Sequence, residues 1–272
     1  MNLFKINPRI FLLLAGFAAV SCGSNGGKTE DVTTEAPENS VSYQEEMPDA
    51  LKEGIEAIGG IEKWNSFGTL SYDLKSSWSE DHQMIDLRNR NLLLTSDKYT
   101  VGFDGKEVWV TPSLDSIGNA RFYSSLFFYF LSIPYVLNDD GIVYDDLGEK
   151  EIRGKTYDAV KITYNPGVGD AHEDQYIVHF NPETREMEWL LYTVTYGGRE
   201  NVTFNALNYL DWQEVNGIKM PTRLQGYKFQ ADTVCDERYE ASFSNLALNT
   251  ERPDPSNFLM PEGAAIDTLK SY

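Results

Sequence analysis

The stretch Thr69-Leu-Ser-Tyr-Asp-Leu-Lys-Ser-Ser-Trp78 decides the fold. Leu70, Tyr72, Leu74 and Trp78 alternate with Ser71, Asp73, Lys75 and Ser77. That period of two sets one face of a β-strand on a core and the other in water. The alternation returns at Val160, Ile162 and Tyr164, at Tyr176, Val178 and Phe180, at Val202, Phe204 and Ala206, and at Tyr239, Ala241 and Phe243. Between such runs lie turn signals: Asp104-Gly105, Gly154-Lys155, Asn181-Pro-Glu-Thr184, Gly197-Gly198 and Asn216-Gly217. Links this short join antiparallel neighbours, because parallel pairs need long crossovers. The pattern predicts a mainly β domain, an antiparallel meander of roughly ten strands.

Working outward, Met187 to Tyr196 is apolar on both parities, with Met187, Trp189 and Leu191 on one and Leu190, Tyr192 and Val194 on the other. A strand of that kind is covered on both faces. The expected cover is Ala120-Arg-Phe-Tyr-Ser-Ser-Leu-Phe-Phe-Tyr-Phe-Leu131, closed by Pro134. Phe122, Leu126 and Phe130 form one helical stripe and Tyr123, Phe127 and Leu131 the next, a broad apolar arc suited to the concave face of a sheet. An earlier helix is predicted from Pro48, with Leu51, Ile55 and Ile58 at i, i+4 and i+7 and a stop at Gly59-Gly60. A short helical turn follows over Ile61–Trp64.

The N-terminus reads as an address. Lys5 and Arg9 supply a positive region, Ile10 to Val20 an apolar one, and Ala19-Val20-Ser21-Cys22 a cleavage site. The apolar run is too short to span a bilayer as a helix. A cysteine after a small residue here resembles a bacterial lipoprotein lipobox. The resemblance implies a signal peptide over 1–21 and lipidation of Cys22, which anchors the chain to a membrane. In this reading residues 22–47 hold the lipidated cysteine and an acidic, Gly/Ser/Thr-rich tether without apolar periodicity, and residues 48–272 form a single β domain.

The 272 residues carry 42 Asp+Glu against 23 Lys+Arg, a net charge of −19. Such acidity speaks against a nucleic-acid partner, which needs a clustered positive surface. Two cysteines, Cys22 and Cys235, exclude a disulfide-stapled scaffold and a multi-cysteine zinc site.

Ala57-Ile-Gly-Gly-Ile-Glu-Lys-Trp64 and Gly102-Phe-Asp-Gly-Lys-Glu-Val-Trp109 resemble the opening of the LolA/LolB-like fold. That resemblance implies a curved antiparallel sheet, a half-open β-barrel with helices at its mouth. Four further stretches are similar to an uncharacterised family of Bacteroidota lipoproteins. They are Phe127-Phe-Tyr-Phe-Leu-Ser-Ile-Pro-Tyr-Val-Leu137, Gly154-Lys-Thr-Tyr-Asp-Ala-Val-Lys-Ile-Thr-Tyr164, Gly167-Val-Gly-Asp-Ala-His-Glu-Asp-Gln-Tyr176 and Tyr209-Leu-Asp-Trp-Gln-Glu-Val-Asn-Gly-Ile-Lys-Met-Pro221. The resemblance spans nearly all of residues 50–265 and carries no established activity. It implies a location in the bacterial cell envelope, at the outer membrane.

The search for chemistry yields little. No G-x-S-x-G elbow or S-x-x-K motif occurs, and no catalytic residue is assigned. Cys235 shares parity with Tyr239 and Phe243, a buried position. The densest polar cluster is Asp170-Ala-His-Glu-Asp174, which lacks H-E-x-x-H and EF-hand spacing, so neither a metal nor a cofactor is expected. His82 and His179 fall on polar strand parity and are expected to face solvent. Thirty-five aromatics, 16 Tyr, 14 Phe and 5 Trp, suit a pocket for acyl chains or another apolar ligand. Its expected wall is Trp109, Phe127, Phe130 and Trp189. The leading expectation is a membrane-anchored envelope lipoprotein, not an enzyme, that binds a lipid or other hydrophobic ligand. The alternatives are an envelope interaction component with a filled core and, third, a hydrolase.

Overall fold

A computed structural model describes residues 46–139, 141–165, 173–196 and 203–268. The signal segment 1–21, Cys22, the tether to residue 45, Asp170, His172 and Gly197-Gly198 lie outside the described residues.

Short turns and period-two patterning give two meanders. The first is β1 (Thr69–Ser76), β2 (Glu80–Asp86), β3 (Leu92–Thr95), β4 (Thr100–Phe103) and β5 (Val108–Thr111). The second is β6 (Ile142–Ile152), β7 (Lys155–Tyr164), β8 (Tyr176–Phe180), β9 (Met187–Tyr192), β10 (Asn205–Val215), β11 (Ile218–Gln230) and β12 (Thr233–Asn249). Pairing of β1 with β12, in which Leu74 faces Phe243, joins them into one antiparallel sheet. β13 (Ala265–Asp267) adds to β5. The order is β13-β5-β4-β3-β2-β1-β12-β11-β10-β9-β8-β7-β6, open at both edges. There are thirteen strands rather than roughly ten. The additional ones include the four-residue β3, β4 and β5 and the three-residue β13, each too short to declare a period.

Bulges bend the ladder. Registers shift between Ser71 and Asp73 in β1, between Asp146 and Gly148 in β6, and beside Gly226 in β11. Asn216 and Gly217, with φ of 52° and 80°, make the tight β10–β11 turn that their sequence signals.

The inward positions of both meanders form one core with two helices. α1 (Asp49–Ala57) and the residue after it contribute Leu51, Ile55 and Ile58, all buried. A four-residue turn, α2 (Ile61–Trp64), leads into β1. α3 (Ala120–Ser132) buries Phe127, Phe128, Phe130 and Leu131 and packs on β3, β4, β5 and β11. Its extent matches the reading from sequence, but the buried face is turned: Phe122, Tyr123 and Leu126 of the expected arc are only half-buried, while Ser124, Ser125 and Phe128 are buried.

The opposite face carries a second cluster of Ile152, Tyr157, Trp189, Leu191, Ala206, Tyr227 and Val234. Strand length explains it. β6, β7, β11 and β12 run 11, 10, 13 and 17 residues, against 5 and 6 for β8 and β9. The ends of the two long hairpins therefore supply apolar residues that cover β9 from behind. β9 is apolar on both parities for this reason: Met187, Leu190 and Tyr192 face the main core, Trp189 and Leu191 the second.

Two expectations are corrected by this arrangement. His179 is 2 % exposed, not solvent-facing, because its polar-parity face is the one roofed by the second cluster. Its Nδ1 lies 3.1 Å from the Ile177 carbonyl oxygen, and its ring stands edge-on to Tyr157. Cys235 is half-buried, since it lies near the start of β12, at the hairpin end beyond the main core. His82, by contrast, is exposed and pairs with Asp73 at 2.7 Å.

Candidate functional site: an aromatic mouth

Where the β1–β2 turn, α3, the end of β9 and the middle of β12 converge, aromatic rings run from surface to core. The turn is built by serine: Ser76 N–H donates to the Ser79 carbonyl at 2.8 Å, and the Ser79 N–H donates to Ser76 Oγ at 3.1 Å. This closure carries Trp78 at its apex. The indole is 42 % exposed, yet it stands 4.7 Å from the Tyr239 ring, edge-on, and 5.9 Å from Phe127, stacked. Tyr123 lies 6.4 Å away on the next turn of α3.

Beneath Trp78 the rings continue inward. Phe127 meets Phe243 edge-on at 6.2 Å, and Phe243 meets Tyr72 at 5.5 Å. On the other side Phe130 meets Tyr192 at 4.8 Å, and the Tyr192 and Tyr239 hydroxyls are 3.1 Å apart. Phe122 bridges Tyr123 and Tyr196. Gly226 makes this geometry available: a Cβ there would sit 2.3 Å from the Tyr239 ring, which lies across its register partner. Edge-to-face and offset contacts of this sort suit flat or elongated apolar groups, which can replace one ring contact by another.

The four expected wall residues do not share one place. Phe127 and Phe130 belong to the mouth and the main core. Trp189 is in the second cluster on the opposite face. Trp109 is also on that outer side, since Val108 and Val110 flank it inward. Its indole covers Gly102, whose Cβ would stand 2.2 Å from the ring, and its Nε1–H donates to the Phe258 carbonyl at 2.9 Å. Trp78, read in sequence as an inward strand position, is instead exposed and lies beyond the end of β1. Its signal was present: the apolar alternation fails at Ser76, and Ser77 and Ser79 bracket the tryptophan, so it marks a turn apex rather than a strand interior.

Polar groups inside the sheet form closed sets. Tyr72 donates to Gln83, Gln83 to Asp81 and Tyr99 to Asp81, at 2.7, 2.8 and 2.8 Å. Burial pushes the Asp81 carboxyl up. Asp174, next to the undescribed Asp170 and His172, accepts the Thr195 N–H at 2.6 Å, and burial raises its carboxyl to about 6. Burial lowers His179 to about 4, so its imidazole is neutral near pH 7. Tyr129, Tyr164 and Tyr176 cluster behind α3, with the Tyr129 and Tyr164 hydroxyls in contact. Among the described residues no set of three or more His, Cys, Asp and Glu could hold a metal. No helix among them is long and apolar enough to cross a membrane.

Residues 91–232 match the profile of a family of unknown function, DUF6503. No curated protein matches the sequence. Among solved structures, a LolA superfamily protein from Nitrosomonas europaea is similar over 78 % of this chain and 96 % of its own, at 11 % identity and a TM-score of 0.47. A DUF1329 family protein from Desulfovibrio piger is similar over 74 % and 94 %, at 14 % identity and a TM-score of 0.44. Neither score reaches 0.5, so the architecture rests on the strand order itself.

Proposed function

The chain belongs to the DUF6503 family, and from the geometry of its mouth we propose that it is a membrane-tethered envelope lipoprotein that holds an elongated apolar ligand, such as an acyl chain, against Trp78. The carrying observation is that Trp78 is open to solvent while its faces and edges already meet the rings of Tyr123, Phe127 and Tyr239. In this reading the exposed indole, already set in an aromatic array, is the contact surface for the apolar ligand. The anchor in this reading is lipidated Cys22, in the outer membrane, and the role is binding rather than catalysis.

A second reading has its own observation. Phe127 and Phe130 are 2 % and 3 % exposed and pack on Phe243 and Tyr192, which suits a filled core and an envelope component that acts through its surface. One experiment separates the two. The full-length Cys22→Ser chain is purified, its solvent extract is examined by mass spectrometry, and a fluorescent palmitate analogue is titrated into it. The ligand-binding reading expects co-purified lipid or saturable probe binding, weakened about tenfold by Trp78→Ala, a change equal to about 1.4 kcal/mol. An empty extract with no saturable binding leaves the filled-core reading. Palmitate labelling of the wild type but not of Cys22→Ser tests the anchor.

A further inference from the structure

Arg153 sits at the tip of the β6–β7 hairpin, in left-handed backbone with φ 51°. Its guanidinium carbon lies 4.4 Å from the Tyr227 ring centroid and 5.5 Å from that of Trp189. These are cation–π contacts of the guanidinium carbon, and the N–H donors lie in the guanidinium plane. Arg153 has no hydrogen bond or ion pair with any described residue, in a chain whose acids outnumber its bases 42 to 23. The side chain is thus oriented by two aromatic rings and its donors are unspent.

Those donors border a groove of about 230 Å³ between the tips of the β6–β7 and β11–β12 hairpins. Ile152, Phe229 and Val234 give it an apolar lining, and Asp232, in the β11–β12 turn, adds a carboxylate. Each simple ligand class fails against this composition. A plain anion meets the Asp232 carboxylate within an acidic domain, and a plain cation meets the guanidinium. A ligand with both charges and an apolar body satisfies all of them. The volume lies below the roughly 300–1,000 Å³ of sites for drug-sized molecules, so the ligand is small.

We propose that this groove binds a small zwitterion of the amino-acid type, with its carboxylate on the Arg153 fork, its ammonium on Asp232, and a nonpolar side chain over Ile152, Phe229 and Val234. The bidentate match of guanidinium to carboxylate sets the orientation, and the opposed charges set the direction of the backbone. The site lies on the outer face of the sheet and does not depend on the mouth described above.

The test uses the full-length Cys22→Ser chain, with leucine, phenylalanine and the dipeptide Leu-Leu titrated while amide resonances of Ile152, Phe229 and Val234 are followed. N-acetylleucine, leucinamide and inorganic phosphate serve as probes lacking one charge or the apolar body. The expected result is saturable shifts with leucine, phenylalanine or Leu-Leu, and at least tenfold weaker binding of N-acetylleucine and leucinamide. Arg153→Asn, which tolerates left-handed backbone, is expected to lose at least tenfold in affinity, and Asp232→Asn to weaken the zwitterion more than N-acetylleucine. The proposal is overturned if no zwitterion shifts these residues. It is likewise overturned if N-acetylleucine or phosphate binds as well as the zwitterion, or if a correctly folded Arg153→Asn binds unchanged.

Discussion

Asp174 introduces β8 with a carboxylate that is 7 % exposed. It accepts the Thr195 N–H at 2.6 Å and faces the Thr193 hydroxyl at 3.5 Å, but no cation is among the groups that shift it. Desolvation is the largest cause and raises its pKa from 3.8 to about 6, with Glu173 adding to the rise and the threonine hydrogen bonds opposing it. Between those values the folded chain holds a proton that the unfolded chain has released. The contribution of this group to stability therefore falls as pH rises from about 4 to about 6 and stays low above that. The difference between 3.8 and about 6 corresponds to about 3 kcal/mol. Asp174→Asn keeps an acceptor for Thr195 and removes the charge. The variant should exceed the wild type by up to about 3 kcal/mol at pH 7.5, and the gap should close towards pH 4. Urea denaturation of the two full-length chains in parallel, followed by tryptophan fluorescence at several pH values, isolates the effect, because the remaining carboxylates cancel in the difference. A gap of equal size at pH 4 and 7.5, or a variant less stable at pH 7.5, refutes the reasoning.

His179 predicts the opposite slope. Burial lowers it from 6.5 to about 4, so the unfolded chain binds the extra proton, stability is lost as pH falls through that window, and His179→Phe should flatten the acid limb of the same denaturation profile by about 3 kcal/mol. Gly102→Ala drives a methyl to 2.2 Å from the Trp109 ring and should cost about 2–5 kcal/mol through overpacking and loss of the indole bond to Phe258, whereas in a Trp109→Leu background most of that cost should vanish; equal costs in both backgrounds would sink the account. Asp86, with a side chain 1 % exposed, takes hydrogen bonds from Arg252 at 2.6 and 3.0 Å, so Arg252→Met should destabilise by about 1–3 kcal/mol in thermal unfolding, the half-exposed arginine keeping the loss moderate.

The sequence carries local order well and the pairing of distant surfaces poorly. Helix α3 was legible because its apolar arc is continuous, and the Asn216-Gly217 turn because its residue types demand that backbone. The two-sided burial of β9 was legible too, but its second cover was not. Nothing near Trp189 in the chain indicates that the tips of two hairpins, at Ile152–Tyr157 and Tyr227–Val234, close over it. That same closure hides His179, whose polar parity is the ordinary mark of a wet face. Cys235 was misplaced for a different reason: alternation gives the face of a residue but not how far the strand runs past the core, and Cys235 lies at the hairpin end.

Aromatic density alone does not locate a ligand site in such a sheet, because both faces are used as cores. Trp109 and Trp189 are spent on the outer side, one roofing a glycine and the other under an arginine. What discriminates is exposure combined with ring neighbours. Leu114, Leu259, Met260 and Ile266 are also exposed, but none is aromatic and Ile266 belongs to the edge strand β13. Trp78 is exposed and already docked on three rings that lead into the core. An apolar ligand seated there extends an existing packed array rather than founding a new one, so it orders few additional side chains, and side-chain ordering is a main cost of binding. That is the physical ground for proposing a ligand at the mouth instead of deep between sheet and helix, where Phe127 and Phe130 would first have to move.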